Sequence, residues 1–452
     1  MRNLLEDKLT PMLMAAACLF TLLVSGLAIF QPSLAVGLVG LALVLLTLRF
    51  HQFYVVLAAV SLPFSATFAA ATPIGVIPLC DVAALIAVVS VATNRAGNQP
   101  RSGESPAGGM MRSARVLIIL AIPYFAVALY SALFNGGSLP TALQRMELVI
   151  LWLVFGALLF RVKSLNLFIT WFVGVCALLS VAWMASPGIN GVWGIQKNPS
   201  GGFISAALIM VILSPMANKW RLPGIVILCG GLLSTGSRGS MLGTAVAVVL
   251  LMLFARQWKR IFLPFIFAAA GGLIAFAALP ATVTARILSQ DGEGVYNIDI
   301  RGLFITDALE QFRDAPWSGV GIGNYVQNHP GLMSVRTNDP HNVFAFSLAE
   351  GGYPLLAGFL IMCLVPLLWL LGKRKTSVVA LALAVQVSTL THAFVDVYWV
   401  RGTPAVGWLL LGAAAAYIAA QRESPGDVAD SLETASRDLT PEVKQRSPAL
   451  TA

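Results

Sequence analysis

The sequence predicts an all-α protein, a polytopic bundle of transmembrane helices, and three observations support this class. Hydrophobic residues fill 58% of the 452 positions, and the mean hydropathy is +0.81. Charged residues make up only 11%, whereas a soluble domain averages about 25%. Apolar runs near the length needed to cross a bilayer recur from residue 12 to residue 420. A soluble globular protein is therefore excluded.

We expect up to fourteen apolar segments, of which about twelve cross the membrane fully. Three of them (33–48, 79–93 and 221–236) are short enough to be re-entrant or half-helices. The predicted segments are 12–30, 33–48, 53–71, 79–93, 116–134, 145–160, 164–184, 199–217, 221–236, 238–256, 260–279, 342–371, 377–396 and 403–420.

The basic residues predict the orientation. With the N-terminus inside, 21 of the 29 Lys and Arg residues face the cytoplasm, as the positive-inside rule requires. An even number of crossings then leaves both termini cytoplasmic. The net charge of +9 is accounted for by this topology, so it does not indicate nucleic-acid binding.

The chain divides into four predicted parts. Transmembrane helices fill 1–279, a large external loop covers 280–341, and further transmembrane helices follow over 342–420. The stretch 94–115 is predicted as a flexible cytoplasmic loop. The Ser/Pro-rich, charged tail 421–452 is predicted to be disordered in the cytoplasm.

Within the external loop, 299–315 predicts an amphipathic helix. Its apolar residues recur at helical spacing, and Asp299 is expected to cap its N-terminus. Such a helix would lie at the membrane interface or roof a cavity. The apolar positions are Ile300, Phe304, Ile305, Ala308, Leu309 and Phe312.

Eight basic residues fall on the outer side, against the general bias. Each could pair with an acid such as Glu147, Glu350 or Asp396, but together they predict a positive rim suited to a polyanionic head group. They are Arg145, Lys197, Arg238, Arg286, Arg301, Arg313, Arg336 and Arg401.

Arg238 is the sharpest candidate, because the polar stretch STGSRGS (234–240) interrupts two apolar runs. We expect a new helix to begin at Arg238 with Ser237 as its cap. A helix N-terminus offers free N–H groups and partial positive charge to an anion, and Arg adds bidentate phosphate recognition. An arginine at this depth in a membrane protein indicates function.

Two more outward helix starts have the same form. One is Lys197-Asn198-Pro199, where Asn198 is expected to cap and proline to take the first helical position. The other is Asp339-Pro340-His341-Asn342, which ends the external loop. Each alone is common helix punctuation, but three beside surplus cations favour an anion site.

His341 is the candidate general base. In the first turn of a helix and near arginines, its imidazolium form is disfavoured, so a neutral ring could accept a proton. The other histidines (His51, His329 and His392) are not assigned a role. The five cysteines are scattered singly, and no metal-ligand spacing occurs. We therefore expect neither a protein-bound metal nor a cofactor.

Four motifs in order make the sequence recognisable: STGSRG (234–239), DIRGLFITDAL (299–309), PWSGVGIGNY (316–325) and DPHNVFAFSLAEGG (339–352). Their order around one external loop resembles the O-antigen ligase/polymerase superfamily, most closely the O-antigen ligases. The resemblance spans most of 194–360, while the earlier spans match in topology only.

The resemblance implies a metal-independent, inverting glycosyl transfer at the periplasmic face of the bacterial inner membrane. The donor would be a polysaccharide on undecaprenyl pyrophosphate, and the acceptor a sugar hydroxyl of lipid A–core. Arg238 and Arg301 match the family's pyrophosphate-handling arginines, and His341 its acceptor-activating histidine. Lys197, Asn198, Arg145, Asn342 and Ser237 remain charge- or position-based candidates for substrate binding.

Three rival functions stay open at this stage. An O-antigen polymerase would use the same donor to extend another lipid-linked chain. A protein O-oligosaccharyltransferase would glycosylate Ser or Thr. A transporter or flippase is disfavoured, because transporters place ionisable residues near the bilayer midplane. No partner beyond donor, acceptor and membrane lipids is expected, and the protein is predicted to act as a monomer or weak oligomer.

Overall fold

A computed structural model describes twelve stretches of the chain, and everything below refers to them. They are residues 51–65, 67–72, 75–96, 106–161, 163–186, 191–213, 218–254, isolated positions between 262 and 285, 292–326, 339–373, 376–396 and 403–423. The predicted spans 12–30 and 33–48, most of 260–279 and the tail beyond Glu423 lie outside these residues.

Helices dominate the described residues, which confirms the predicted all-α class. The helices are α1 (His51–Ser61), α2 (Leu79–Ala96), α3 (Pro106–Phe134), α4 (Leu139–Arg161), α5 (Leu165–Ala185), α6 (Lys197–Leu213), α7 (Asn218–Thr235), α8 (Arg238–Phe254), α9 (Gly292–Asp314), α10 (Val343–Leu371), α11 (Ser377–Val395) and α12 (Ala405–Glu423). A 3-10 turn covers Leu62–Phe64, and two antiparallel hairpins pair β1 (Ala69–Thr72) with β2 (Gly75–Pro78) and β3 (Gly191–Val192) with β4 (Ile195–Gln196).

Five helices in the described stretches have the length and composition to cross a membrane, namely α3, α4, α5, α10 and α11. The helices α1, α2, α6, α7, α8 and α12 are apolar but shorter. The protein is therefore a multi-pass membrane protein, while the count of about twelve crossings stays a prediction.

Two predicted boundaries are wrong. The span 53–71 ends early, because α1 stops at Ser61 and gives way to the 3-10 turn and β1. Pro63 falls in that turn, where a residue without an N–H cannot extend an α-helix. The predicted loop 94–115 is shorter than expected, since α3 begins at Pro106, a proline suited to the first helical position.

Glycines bring α4 and α12 into backbone contact. A Cβ on Gly156 of α4 would collide with the carbonyl oxygen of Leu409, and one on Gly412 of α12 with that of Leu153. Small residues of this kind let membrane helices approach closely and gain van der Waals contact.

We expect Gly412→Ala to destabilise the protein by about 1–3 kcal/mol, the usual range for overpacking a core. The thermal midpoint in detergent, followed by light scattering or dye binding, measures the effect. Gly174→Ala is the matched control, because a Cβ at Gly174 in α5 meets nothing within 4 Å. Equal midpoints for the two variants would contradict the predicted clash.

A kink in α10 receives the segment that follows α9. Gly352 has a left-handed φ of +64° inside α10, and Pro354 follows it, so the regular helical hydrogen bonding is interrupted. The segment 316–325 supplies partners there: Val320 N–H donates to the Ala349 carbonyl (2.8 Å) and Gly321 N–H to the Glu350 carbonyl (3.1 Å). The sequences SGVGIG (318–323) and EGG (350–352) thus pack together, and we call this contact the joint between α10 and the segment 316–325.

The amphipathic helix predicted at 299–315 is present but begins earlier. Its buried stripe runs through Ile300, Phe304 and Ala308, which confirms the amphipathic pattern. The predicted cap is wrong, because α9 starts at Gly292 and Asp299 lies exposed within it. Residues 292–298 are already helical, so Asp299 lies inside the helix and not at its N-terminus. The helix packs on α10.

Candidate functional site

The C-terminal end of α11 is the point where four of the predicted site residues meet, namely Asn198, Arg301, His341 and Asn342. Helix ends leave their last carbonyls without intrahelical partners. At the end of α11, two side chains from other elements act as hydrogen-bond donors to these carbonyls. The Arg301 guanidinium donates to the Val395 carbonyl at 3.0 Å, and Asn342 Nδ2 donates to the Phe394 carbonyl at 2.9 Å.

Asp396, the next residue, binds three side chains through its carboxylate. Arg301 Nη2 lies 3.2 Å from Oδ2 and 3.3 Å from Oδ1. Asn198 Nδ2 donates to Oδ1 at 2.7 Å, and His341 Nδ1 lies 3.0 Å from the same atom. The carboxylate is 2% exposed, against 25% for the Arg301 side chain and 23% for His341. It thus ties α6, α9 and the turn before α10 to the end of α11.

Asp396 is an ionised carboxylate at any physiological pH. Burial on its own would raise its pKa, but the hydrogen bond with His341 and the positive charge of Arg301 lower the pKa to about 2. An ionised carboxylate at Nδ1 holds that nitrogen as the N–H tautomer and leaves Nε2 as the proton acceptor.

His341 sits in a strained turn that the sequence did not predict. It precedes the cap residue rather than lying in the first turn of α10, and its φ is +57°, which few side chains adopt. The Asp339 carboxylate accepts its backbone N–H at 2.7 Å and stabilises the turn. The ring stacks on Phe304 of α9, with centroids 5.9 Å apart and an interplanar angle of 11°.

Asn342 is the N-cap of α10, a role that was not predicted for it from the sequence. Its Oδ1 accepts the backbone N–H groups of Phe344 and Ala345 at 2.9 and 3.0 Å. Because its Nδ2 also reaches the end of α11, one side chain fixes both helix ends. A role in substrate binding for Asn342 stays a prediction.

Asn198 is not the cap of α6, contrary to the prediction. The helix begins one residue earlier, at Lys197, so Asn198 falls in the first turn and its amide is directed to Asp396. Lys197 is half-buried at the start of the same helix. The predicted helix start is thus present, with a hydrogen bond from Asn198 to the carboxylate, while its outward orientation stays a prediction.

The new helix at Arg238 is confirmed, since α8 begins there. The predicted cap at Ser237 is wrong: its hydroxyl is buried and makes no hydrogen bond in the part of the chain that the structure describes. The side chain instead faces α6, 3.1 Å from where a Cβ on Gly201 would lie. Arg238 itself is half-buried at the first position of the helix.

Arg145 lies in a separate cluster. Its guanidinium pairs with the fully buried Glu350 at 2.6 Å and stands over the Phe346 ring at 5.0 Å. The other Glu350 oxygen accepts the Gly323 N–H at 2.7 Å. This pairing secures the joint between α10 and the segment 316–325. A role in substrate binding for Arg145 stays a prediction.

Asp339 provides a pH-dependent prediction. Burial raises its pKa to about 6, above an unfolded value near 3.9, although His341 and Arg145 favour its charged form. Between about pH 4 and 6 the unfolded chain loses this proton and the folded one retains it, so stability falls as pH rises through that window.

We therefore expect Asp339→Asn, whose amide oxygen can still accept the His341 N–H, to raise the thermal midpoint at pH 7.5. The advantage should shrink below pH 6 and vanish near pH 4. Midpoints measured across that range test it, and a lower midpoint for the variant at pH 7.5 would show that the charge is stabilising.

The residue that sequence reasoning undervalued is Asp396, which appeared only as a possible partner for an outward cation. Its signal was a lone acid directly after an apolar run, in HAFVD (392–396). Within the described ranges, no three His, Cys, Asp or Glu side chains are grouped so that they could hold a metal ion.

Comparison with known proteins agrees with the motifs. The pattern of a family described as O-antigen ligase matches residues 223–360, which include Arg238, Arg301 and His341. The chain is also similar to the O-antigen ligase of Pseudomonas aeruginosa, with 29% identity over 202 residues. That alignment covers 40% of this chain and 46% of the relative, so the chain spans less than half the length of the protein it matches. The match over residues 223–360 and the similarity to this relative both support the resemblance to the O-antigen ligase family that the motifs indicate.

Proposed function

We propose that the protein transfers O-antigen polysaccharide from undecaprenyl pyrophosphate to a sugar hydroxyl of lipid A–core. The reaction takes place at the periplasmic face of the inner membrane, as a step of lipopolysaccharide biosynthesis. The observation that carries the proposal is the 3.0 Å contact between His341 Nδ1 and the Asp396 carboxylate, beside Arg301. The family match supports the same reaction class.

In the proposed mechanism, His341 acts as the general base. Its Nε2 takes the proton of the acceptor hydroxyl as that oxygen attacks the anomeric carbon of the donor sugar. Asp396 keeps the imidazole in the required tautomer and stabilises the imidazolium that forms. A single displacement inverts the configuration at that carbon.

The bond that breaks joins the anomeric carbon to the diphosphate oxygen, and its electrons leave with undecaprenyl pyrophosphate. The developing negative charge needs preorganised donors or cations. Arg301 and Arg238 supply guanidinium groups, and the first turns of α6 and α8 supply backbone N–H groups. Lys197 adds a further positive charge at the start of α6. With these groups the transfer requires no metal ion.

The test incubates the purified protein with undecaprenyl-pyrophosphate glycan in the presence of a chelator. Parallel reactions contain lipid A–core, a second lipid-linked glycan, or a Ser/Thr-containing acceptor peptide. The proposal expects glycan on lipid A–core. Longer lipid-linked chains would instead identify a polymerase, glycosylated peptide a protein O-oligosaccharyltransferase, and loss of product with chelator would overturn the metal-independent mechanism.

A transporter would give a different result in sealed vesicles. It would move lipid-linked glycan across the bilayer and form no glycosidic bond. Most of the site residues lie at or beside helix ends, and Arg301 lies within α9, which is not among the five helices that could cross a membrane. This arrangement favours an enzyme acting at the membrane surface over a translocation path.

A further inference from the structure

The last turn of α11 contacts the first turn of α8 as well as the residues of the proposed site. His392, one turn before Asp396, is buried, and its ring lies against Gly239. A Cβ built on Gly239 would stand 2.6 Å from His392 Cδ2 and 3.1 Å from Nε2. The 2.6 Å contact is shorter than real Cβ atoms show, so the ring occupies the space that glycine leaves open.

A second side chain of α11 also packs against Gly239. The same Cβ on Gly239 would lie 3.1 Å from Val395 Cγ2. Val395 is the residue whose carbonyl accepts Arg301, and Asp396 follows it. The first turn of α8 thus rests on the stretch of α11 that holds Arg301 and, through Asp396, His341.

We propose that His392 is a positioning residue for the transfer reaction. By packing against Gly239, its ring fixes the position of Arg238 relative to the His341–Asp396 pair. The inference rests on the proposed function, in which Arg238 stabilises the donor diphosphate and His341 activates the acceptor. Gly239 directly follows Arg238, so a shift of that turn moves the guanidinium. Displacements of about 1 Å cost on the order of 10²-fold in rate when groups must act together.

The first experiment is Gly239→Ala, assayed by steady-state transfer with the donor and acceptor varied separately. We expect the KM for the lipid-linked donor to rise at least about tenfold, a change of ~1.4 kcal/mol in donor engagement. The KM for lipid A–core should be unchanged, since the displaced turn carries the donor arginine.

Relief of the collision provides the decisive comparison. In the double variant Gly239→Ala/His392→Ala, the added methyl group takes space that the ring vacates. The donor KM should therefore return toward the wild-type value, below that of either single variant. His392→Ala alone removes the ring that packs against the first turn of α8, so it should also raise the donor KM.

Two glycines provide matched controls. Gly243→Ala affects the same helix pair one turn deeper, where its Cβ would lie 2.6 Å from the Ser388 carbonyl oxygen. That clash is with backbone, so His392→Ala should not relieve it. Gly174→Ala meets nothing within 4 Å and should transfer at the wild-type rate. General loosening of the α8–α11 packing would instead make the Gly239 and Gly243 variants behave alike.

The outcomes separate this inference from the proposed function. If the wild-type protein forms no product on lipid A–core, the proposed function fails. If the wild-type protein is active but Gly239→Ala or His392→Ala keeps the wild-type donor KM, the positioning role is wrong. If Gly239→Ala does not fold, the double variant must fold and bind donor better than His392→Ala, or the inference is likewise overturned.

Discussion

Replacing His341 by asparagine is expected to lower the kcat of glycan transfer by about 10²–10⁴-fold, the usual contribution of a positioned general base. Asparagine is the best replacement because His341 has a φ of +57°, which Asn adopts more readily than most other residues. The turn is then retained, and the amide can still hydrogen bond to Asp396, but no nitrogen remains that can accept a proton.

Binding of the lipid-linked donor to His341→Asn, measured separately, should stay close to wild type, because the proposed donor contacts come from Arg238, Arg301 and the helix starts. His51→Ala is a matched control at the beginning of α1 and should transfer normally. A wild-type kcat for His341→Asn would remove the histidine from the mechanism and leave only its structural contact with Asp396.

The sequence predicted the parts of the site that depend on local signals. A polar break between apolar runs placed the start of α8 at Arg238, and Asn342 was located at the start of α10. Apolar residues spaced three or four positions apart predicted the buried stripe of α9. Such features follow from hydrogen bonding and hydrophobicity within one or two helical turns, which is why they can be read without tertiary information.

The contacts that assemble the site are of another kind. Asn198 and Asp396 are 198 positions apart, and Arg301 and Asp396 are 95 apart. No local pattern indicates that these side chains meet, since the pairing depends on how α6, α9 and α11 pack. The same limit explains the errors at Ser237 and Asn198: both have the residue type of a helix cap, but each side chain turns toward a neighbouring helix instead.

Substitution of Asp396 tests that assembly directly, because one carboxylate serves Asn198, Arg301 and His341. Asp396→Asn keeps the shape but loses the charge, so it no longer favours the Nδ1–H tautomer of His341 or stabilises the imidazolium. We expect its kcat to fall at least about 10²-fold, as for loss of general base action. Asp396→Ala should lose the same activity and, in addition, destabilise the fold by at least about 2 kcal/mol, since a charged acceptor of several hydrogen bonds is removed.

The pH dependence of stability separates the two effects. The pKa of Asp396 is lowered to about 2 in the folded protein, against about 3.9 in the unfolded chain. Its contribution to stability is therefore complete above about pH 4 and is lost as pH falls through about 2. The difference in thermal midpoint between wild type and Asp396→Ala should be constant from pH 7.5 to about 4.5. Below about pH 4.5 the difference should shrink. A difference that already disappears between pH 7 and 5 would mean that another group holds Arg301 and His341, and the carboxylate would lose its central place in the mechanism.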